Sequence, residues 1–306
     1  MEIEAGRNKG ELTLGPVLFN WKPENWRDFY FRMADEAPLS AVYLGEVICH
    51  KRAPFFEPHY EAVVERLTRA GKTVVLSTLA EVMLAHDRRL VERLCDSNDV
   101  LVEANDASAL FFIGNRPHHI GPYINAYNEE TIRFLADKGA RNFCLQPEMP
   151  ATAIRSLCQA TRDLDASIEV QVFGRLPLAL SARCYHARAH NRTKDSCQFI
   201  CENDPDGLEL RTLEGAPFLA INGVQTLSHD YLNLIRELPS LQEMGVSRFR
   251  LSPQTDDMVR IASLFSAVLD RHITPEEGAA SLDEMNFSVP FSNGFYHHAP
   301  GHRWAV

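Results

Sequence analysis

The chain has 306 residues, of which 45% are hydrophobic and 24% are charged, and its formal net charge is −10. This composition is that of a globular protein with an ample core, which excludes a chain that is disordered throughout. The acidic balance also disfavours nucleic acid as a partner, because a phosphate backbone is bound by clustered lysine and arginine side chains.

The opening residues, "MEIEAGRNKGELTLGPVLF", contain no basic segment followed by the apolar segment of a secretory signal. No apolar run approaches the roughly 20 residues that a membrane-spanning helix needs. We therefore expect a cytoplasmic protein with no transmembrane segment. Seven cysteines, an odd number, in a reducing compartment favour metal or redox use over a disulfide framework.

Short apolar runs alternate with segments of helical periodicity along the chain. Strands are predicted at 12–19, 41–46, 73–78, 100–104, 120–126, 142–148, 168–173, 218–224 and 248–253. Helices are predicted at 59–70, 79–95, 128–138, 151–163, 230–244 and 256–271. This alternation predicts a mostly parallel sheet. Eight or nine strands without a G-x-G-x-x-G motif favour an α/β, TIM-barrel-like fold over a dinucleotide-binding sheet.

The regular alternation stops at about 175–216, where a cysteine-bearing segment and a long loop follow a predicted strand. Long insertions of this kind are more often functional than incidental. The residues from about 285 to 306 are rich in proline, glycine and aromatic side chains and predict an irregular C-terminal tail. We interpret residues 1–306 as a single barrel domain with one insertion.

Polar side chains stand where several predicted strands end. In a parallel barrel these ends converge on one mouth, which is where such folds build their sites. The candidate substrate pocket comprises Glu46, Glu103, Asn125, Glu148 and Asn222. The structural alternative is that a strand-to-loop transition is polar in any barrel.

Three cysteines lie close together in the insertion, and Cys197 and Cys201 are spaced so that one helical turn would place both thiols on one face. Cys49 follows the strand "YLGE" at the predicted mouth. Cys95, Cys144 and Cys158 lie within apolar patterns, as small buried residues do. The predicted ligand set is therefore Cys49, Cys184, Cys197 and Cys201.

The spacing of these thiols leaves three alternatives open. Structural zinc usually takes two closely spaced ligand pairs, whereas here one pair is close and two ligands are isolated. That arrangement favours an iron–sulfur cluster, with zinc and incidental free thiols as the alternatives. A second candidate metal site, at His297, His298 and His302, is disfavoured because Pro300 and Gly301 interrupt any helix there.

The segment "EVQVFGRLPLALSARC", which begins at Glu169, resembles the signature of the U32 peptidase-like family. The matching residues are Glu169, Gly174, Leu176, Ser181, Arg183 and Cys184. Two positions depart from the pattern: Phe173 stands where most members carry histidine, and Pro177 stands where they carry the first cluster cysteine. The resemblance implies that Cys49, in "YLGEVICHKR", replaces the lost ligand.

One branch of this family, which serves ubiquinone biosynthesis, has the same two departures. The segments "LGPVLFNW", "INAYN" and "INGVQTLS" also resemble that branch. The resemblance implies a barrel-like fold, a 4Fe–4S cluster and a heterodimer with a paralogous U32-type subunit. It also implies oxygen-independent hydroxylation of a prenylated aromatic quinone precursor, with prephenate as the oxygen source. Cluster ligation at Cys49, Cys184, Cys197 and Cys201 is part of this expectation.

Two other functions compete with this hypothesis. The same family includes RNA base hydroxylation, against which the acidic balance counts. A barrel without catalytic activity, whose metal only fastens the insertion and whose role is to bind a partner, belongs to another class. Proteolysis has no support, because the chain contains neither a Ser, His and Asp motif nor H-E-x-x-H.

Overall fold

The computed structural model describes residues 10–96 and 100–305. The predicted single domain also includes 1–9, 97–99 and 306, which lie outside the described residues. The strands are β1 Glu11–Leu14, β2 Ala41–Leu44, β3 Thr73–Ser77, β4 Leu101–Ala104, β5 His118–Ile120, β6 Ala140–Cys144, β7 Ser167–Leu180, β8 Leu208–Arg211, β9 Pro217–Asn222, β10 Gln225–Asn233, β11 Arg248–Leu251 and β12 Phe291–Ser292.

The α-helices connect these strands and surround the sheet. They are α1 Pro23–Glu36, α2 Ala53–Phe56, α3 Tyr60–Arg69, α4 Ala85–Cys95, α5 Ala107–Ile113, α6 Glu129–Asp137, α7 Ala151–Ala160, α8 Tyr185–Ala189, α9 Leu238–Met244, α10 Met258–Leu269 and α11 Pro275–Asp283. Local signals set several of their ends. Asn128 caps α6 by accepting a hydrogen bond from the Thr131 amide, and Gly245 ends α9 in the left-handed conformation.

Eight parallel strands close into a barrel. Strands β1 to β7 pair in chain order, and β11 closes the circle by pairing with both β7 and β1. The pairing of Thr13 with both Ala41 and Arg250 fixes the register at the closure. The TIM-barrel-like prediction is therefore confirmed.

The barrel separates an apolar outer layer from a polar interior. Side chains alternate between the two faces of each strand, so Leu14 and Leu44 pack with the buried hydrophobic core. Thr13 and Tyr43, each next to one of these residues, turn the other way and hydrogen-bond to Glu169 on β7. The interior of the barrel is thus a hydrogen-bonded network.

Strand β7 runs beyond the barrel and carries a second, antiparallel sheet. Its outer half pairs with β10, which pairs with β9, which pairs with β8. The barrel order resumes only at β11, so the insertion is longer than 175–216 and continues to Asn233. The strand predicted at 218–224 is accordingly β9 of this sheet and not a barrel strand.

Two other predicted elements are wrong. The strand predicted at 120–126 ends at Ile120, and a short 3-10 turn follows it. The helix predicted at 230–244 begins only at Leu238, because β9 and β10 form a hairpin around Gly223 and Val224 that extends strand structure to Asn233. Helices α1, α5 and α11 were not predicted.

The C-terminal tail packs against the extension of the barrel. Strand β12 pairs with β10, and Phe291 contacts Phe173 edge-on. His297 hydrogen-bonds to Glu237, and His298 to Thr152. Across the described ranges 10–96 and 100–305, no helix is long and apolar enough to cross a membrane.

Candidate functional site

Cys49, Cys184, Cys197 and Cys201 line one cavity at the carboxyl end of the barrel strands. Cys49 lies five residues beyond the end of β2, and Cys184 forms the N-cap of α8 just beyond β7. Cys197 and Cys201 follow α8, and Cys201 is buried. The topology therefore brings together thiols that are far apart in sequence.

The loop that carries Cys49 is held rigidly against the barrel. Gly45 has a φ of +143°, and a Cβ at this position would lie 2.2 Å from the carbonyl oxygen of Ser77, so only glycine fits. The buried Glu46 side chain then accepts hydrogen bonds from the amides of Ile48 and Cys49, at 2.8 Å and 2.9 Å. These contacts fix the position from which the Cys49 thiol enters the cavity.

Polar and aromatic contacts fasten the insertion to the barrel. Lys51, two residues after Cys49, donates a hydrogen bond from its ammonium group to the backbone carbonyl of Lys194 at 2.7 Å. Phe55 packs edge-on against Phe199, with ring centroids 4.7 Å apart. The Trp21 indole donates to the carbonyl of Pro205 at 2.7 Å. The loop after β2 and the insertion thus form one wall around the thiols.

A buried cation lines the cavity. The guanidinium of Arg52, 1% exposed, donates to the carbonyl of Leu18 and to Oδ1 of Asn222, both at 3.0 Å. Burial lowers the pKa of Arg52, but the neighbouring Cys201, Glu46 and Cys49 raise it above its ordinary value. Its buried Nε–H has no acceptor among the described atoms. Arg52 therefore places a positive charge beside the thiols. Such a charge would stabilise a negatively charged group bound in the cavity.

The sulfur atoms already accept weak hydrogen bonds. The Asn20 amide contacts Sγ of Cys201 at 3.5 Å, and the backbone amide of Ala187 contacts Sγ of Cys184 at 3.4 Å. Burial raises the pKa of Cys49 to about 11 and also raises that of Cys184. A raised pKa favours the protonated thiol, and both cysteines must lose their protons when they ligate a metal.

The separation of the sulfur atoms bears on the kind of metal. Among the residues that the structure describes, the group of three metal-ligating side chains with all donor atoms within 4.8 Å is His186, His190 and Asp204. No three of the four sulfurs approach one another that closely. Thiolates at about 2.3 Å from one zinc ion lie roughly 4 Å apart, whereas a cluster of several irons holds them farther apart. In the described structure, therefore, no three of these thiols lie at the separations of ligands to a single zinc ion.

The enclosed space is small, ≈ 20 Å³, which is room for about one water molecule. A larger group would enter only if side chains that line the cavity moved; Phe199 and Ile200 are among them and are partly exposed.

The other three cysteines lie elsewhere. Cys95 is buried in α4, Cys144 in β6 and Cys158 in α7. Burial raises the pKa of Cys95 and Cys158 to about 11 and that of Cys144 still further. Each occupies the place of a small apolar side chain.

The five residues predicted as a substrate pocket do not line one cavity. Asn125 and Glu148 line a cavity of ≈ 250 Å³ together with Pro177, at the mouth. Glu46 and Asn222 support the thiol site, as described above. Glu103 is buried inside the barrel, where it accepts hydrogen bonds from Ser77 and Arg250, each at 2.7 Å.

Sequence reasoning missed the polar centre of the barrel. Arg250 donates to Glu103 at 2.7 Å and to Glu169 at 2.8 Å, and its guanidinium lies 3.9 Å from the centroid of the Tyr43 ring. Glu169 also accepts a hydrogen bond from Asn142 at 2.6 Å. The available signal was a charged residue within an otherwise apolar strand, such as Glu169 in "IEVQVF" and Arg250 in "RFRL".

Fold and site together define a closed α/β barrel that carries four thiols at its mouth. The sequence pattern of peptidase family U32 matches residues 22–305, and the chain belongs to that family.

Two solved structures show similar folds at low identity. A chain of the tryptophan synthase complex from Pyrococcus furiosus is 13% identical, with a TM-score of 0.40, and the match covers 90% of this chain and 98% of that one. Type I 3-dehydroquinate dehydratase from Clostridium difficile is 11% identical, with a TM-score of 0.38, covering 88% and 95%. These likenesses do not bear on function.

Proposed function

We propose that this protein is an iron–sulfur subunit of an oxygen-independent hydroxylase in ubiquinone biosynthesis, of the UbiV type, which acts with a UbiU-type paralogous subunit. The observation that carries the proposal is the convergence of Cys49, Cys184, Cys197 and Cys201 on one cavity. Cys49 stands there as the fourth thiol in a chain that has Pro177 where the family carries a cysteine.

The residues of the cavity suit a 4Fe–4S cluster. Four thiolates are the usual ligands of such a cluster, and Arg52 offers a buried positive charge and a free N–H beside them. When bound, the cluster would supply single-electron transfer. The chain itself would supply the four thiolates from separate segments, and Arg52 would balance part of their negative charge.

The mouth also offers space for substrates. The cavity of ≈ 250 Å³ beside Pro177 is lined by the polar side chains of Gln146 and Glu148 and has the size for a small polar molecule. An apolar cleft of ≈ 610 Å³ between α3 and α4 reaches Glu46, whose side chain binds the Cys49 loop. This cleft suits the prenyl chain of an aromatic quinone precursor.

Metal analysis tests the cluster directly. We expect protein purified without oxygen to be brown, to absorb near about 400 nm, and to carry about four iron and four sulfide per chain, because thiolate-to-iron charge transfer gives this absorption. Iron, acid-labile sulfide and zinc would be measured on the same sample. Colourless protein with one equivalent of zinc would refute the cluster and leave a metal that only fastens the insertion.

Co-purification tests the partner. We expect a tagged chain to retain a paralogous U32-type subunit through washes at high salt and to release any RNA as the salt concentration rises, because the net charge is −10. Both would be followed by mass spectrometry and by absorbance at about 260 nm. Retention of a defined RNA, with no protein partner, would favour RNA base hydroxylation instead.

A further inference from the structure

A second cluster of metal-ligating side chains lies next to the thiols. His186 is in α8 and His190 immediately follows it, four residues later, so both rings face the same side. The rings are stacked, with centroids 5.8 Å apart and planes inclined by 20°. Nε2 of His186 is 2.8 Å from Oδ2 of Asp204, and the donor atoms of all three residues lie within 4.8 Å of one another.

The backbone around these side chains is fixed from both ends. The amide of His186 donates to the carbonyl of Gly223 at 3.3 Å, and the amide of Asp204 donates to the carbonyl of Cys201, also at 3.3 Å. His186 is 1% exposed, and its Nδ1 has no hydrogen-bond partner among the described residues. The hydrogen bond to Asp204 therefore satisfies only one of the two ring nitrogens of His186.

The cluster is open on one side. His190 is exposed and Asp204 is partly exposed, whereas His186 is buried. A metal ion held by these three residues would keep coordination positions free toward solvent. Donor atoms at ordinary metal distances are roughly 3 Å apart; the pair His186 and Asp204 already meets this separation at 2.8 Å, and His190, within 4.8 Å of both, would move toward the ion.

We propose that His186, His190 and Asp204 bind one divalent first-row transition ion, of the Fe²⁺ type, with a ligand set distinct from the four thiols, although His186 also lines the thiol cavity. Two imidazoles and one carboxylate with open positions form the ligand set typical of non-haem Fe²⁺. This inference goes beyond the proposed function, because it concerns a second metal ion and does not need the ubiquinone pathway to be correct; its test rests on thiols that a cluster already occupies.

Cobalt titration tests the site in protein whose thiols are already occupied. Co²⁺ added without oxygen to the purified holoprotein should bind at about one equivalent, with weak visible bands of nitrogen and oxygen ligation and no thiolate charge-transfer band. His190→Ala should weaken this binding at least about tenfold while sulfide content stays at the wild-type level. His272→Ala, which removes an equally exposed histidine elsewhere, should bind Co²⁺ like the wild type.

A second variant separates metal binding from the hydrogen bond. Asp204→Asn keeps a hydrogen-bonding partner for His186 but removes the charged ligand, so it should also lose Co²⁺ affinity while circular dichroism is unchanged. Unchanged Co²⁺ affinity in both variants would overturn the proposal. So would binding that shows the thiolate band, because the cysteines would then be the ligands. Sulfide content reports the cluster independently, so failure of one site is distinguishable from failure of the other.

Discussion

Cys49→Ala should lower iron and sulfide to about a tenth of the wild-type content or less, as severely as Cys184→Ala, Cys197→Ala or Cys201→Ala. Each substitution removes one of the four thiols that line the cavity. In a strain that depends on this gene, each variant should also lose ubiquinone made without oxygen, while ubiquinone made with oxygen persists. Iron and sulfide assays and quinone chromatography measure the two effects.

The other three cysteines provide matched controls. Cys95→Ala, Cys144→Ala and Cys158→Ala remove buried thiols from helices or a strand, so each should cost only about 1 kcal/mol of stability and leave iron content unchanged. If Cys49→Ala kept a full cluster while Cys184→Ala lost it, Cys49 would not be a ligand. The assignment to the UbiV type would then lose its most specific support.

The barrel was predictable because its strands are short, apolar and regularly spaced. Where the prediction failed, non-local pairing had overridden local periodicity. The segment 225–233 forms a strand because β7 extends far enough out of the barrel to pair with it. Helix α1 buries Trp26, Tyr30 and Met33 on one face. It was not predicted, because it begins soon after the apolar run 12–19 that was predicted as a strand.

The thiol set was predictable in part because strand ends converge. Cys49 follows the end of β2, which places it at the mouth whatever the details of the loop. The supporting residues were not accessible in this way. Arg52 is positively charged, and sequence alone gives no reason to bury it; its partners Leu18 and Asn222 come from distant parts of the chain.

The polar interior of the barrel predicts a large loss of stability when its central cation is removed. Arg250→Met should lower the free energy of unfolding by about 3–5 kcal/mol, because it leaves the buried Glu103 and Glu169 without their shared cation. Urea denaturation of the anaerobic holoprotein at neutral pH measures the loss. Arg250→Lys, which keeps the charge but not the planar fork, should lose less. Arg66→Met, which breaks an exposed ion pair with Asp35, should change stability little.

The pH dependence of this loss identifies its cause. Burial would raise the pKa of Glu169, but Arg250 and the hydrogen bonds from Thr13 and Asn142 lower it to about 2, below its ordinary value of 4.5. The stability that this carboxylate contributes is therefore complete above pH 4.5 and is lost as the pH falls toward 2. The deficit of Arg250→Met should shrink over the same interval. A deficit that is constant with pH would instead mean that Arg250 stabilises the barrel by packing on Tyr43, whose ring it covers at 3.9 Å, and not through its charge.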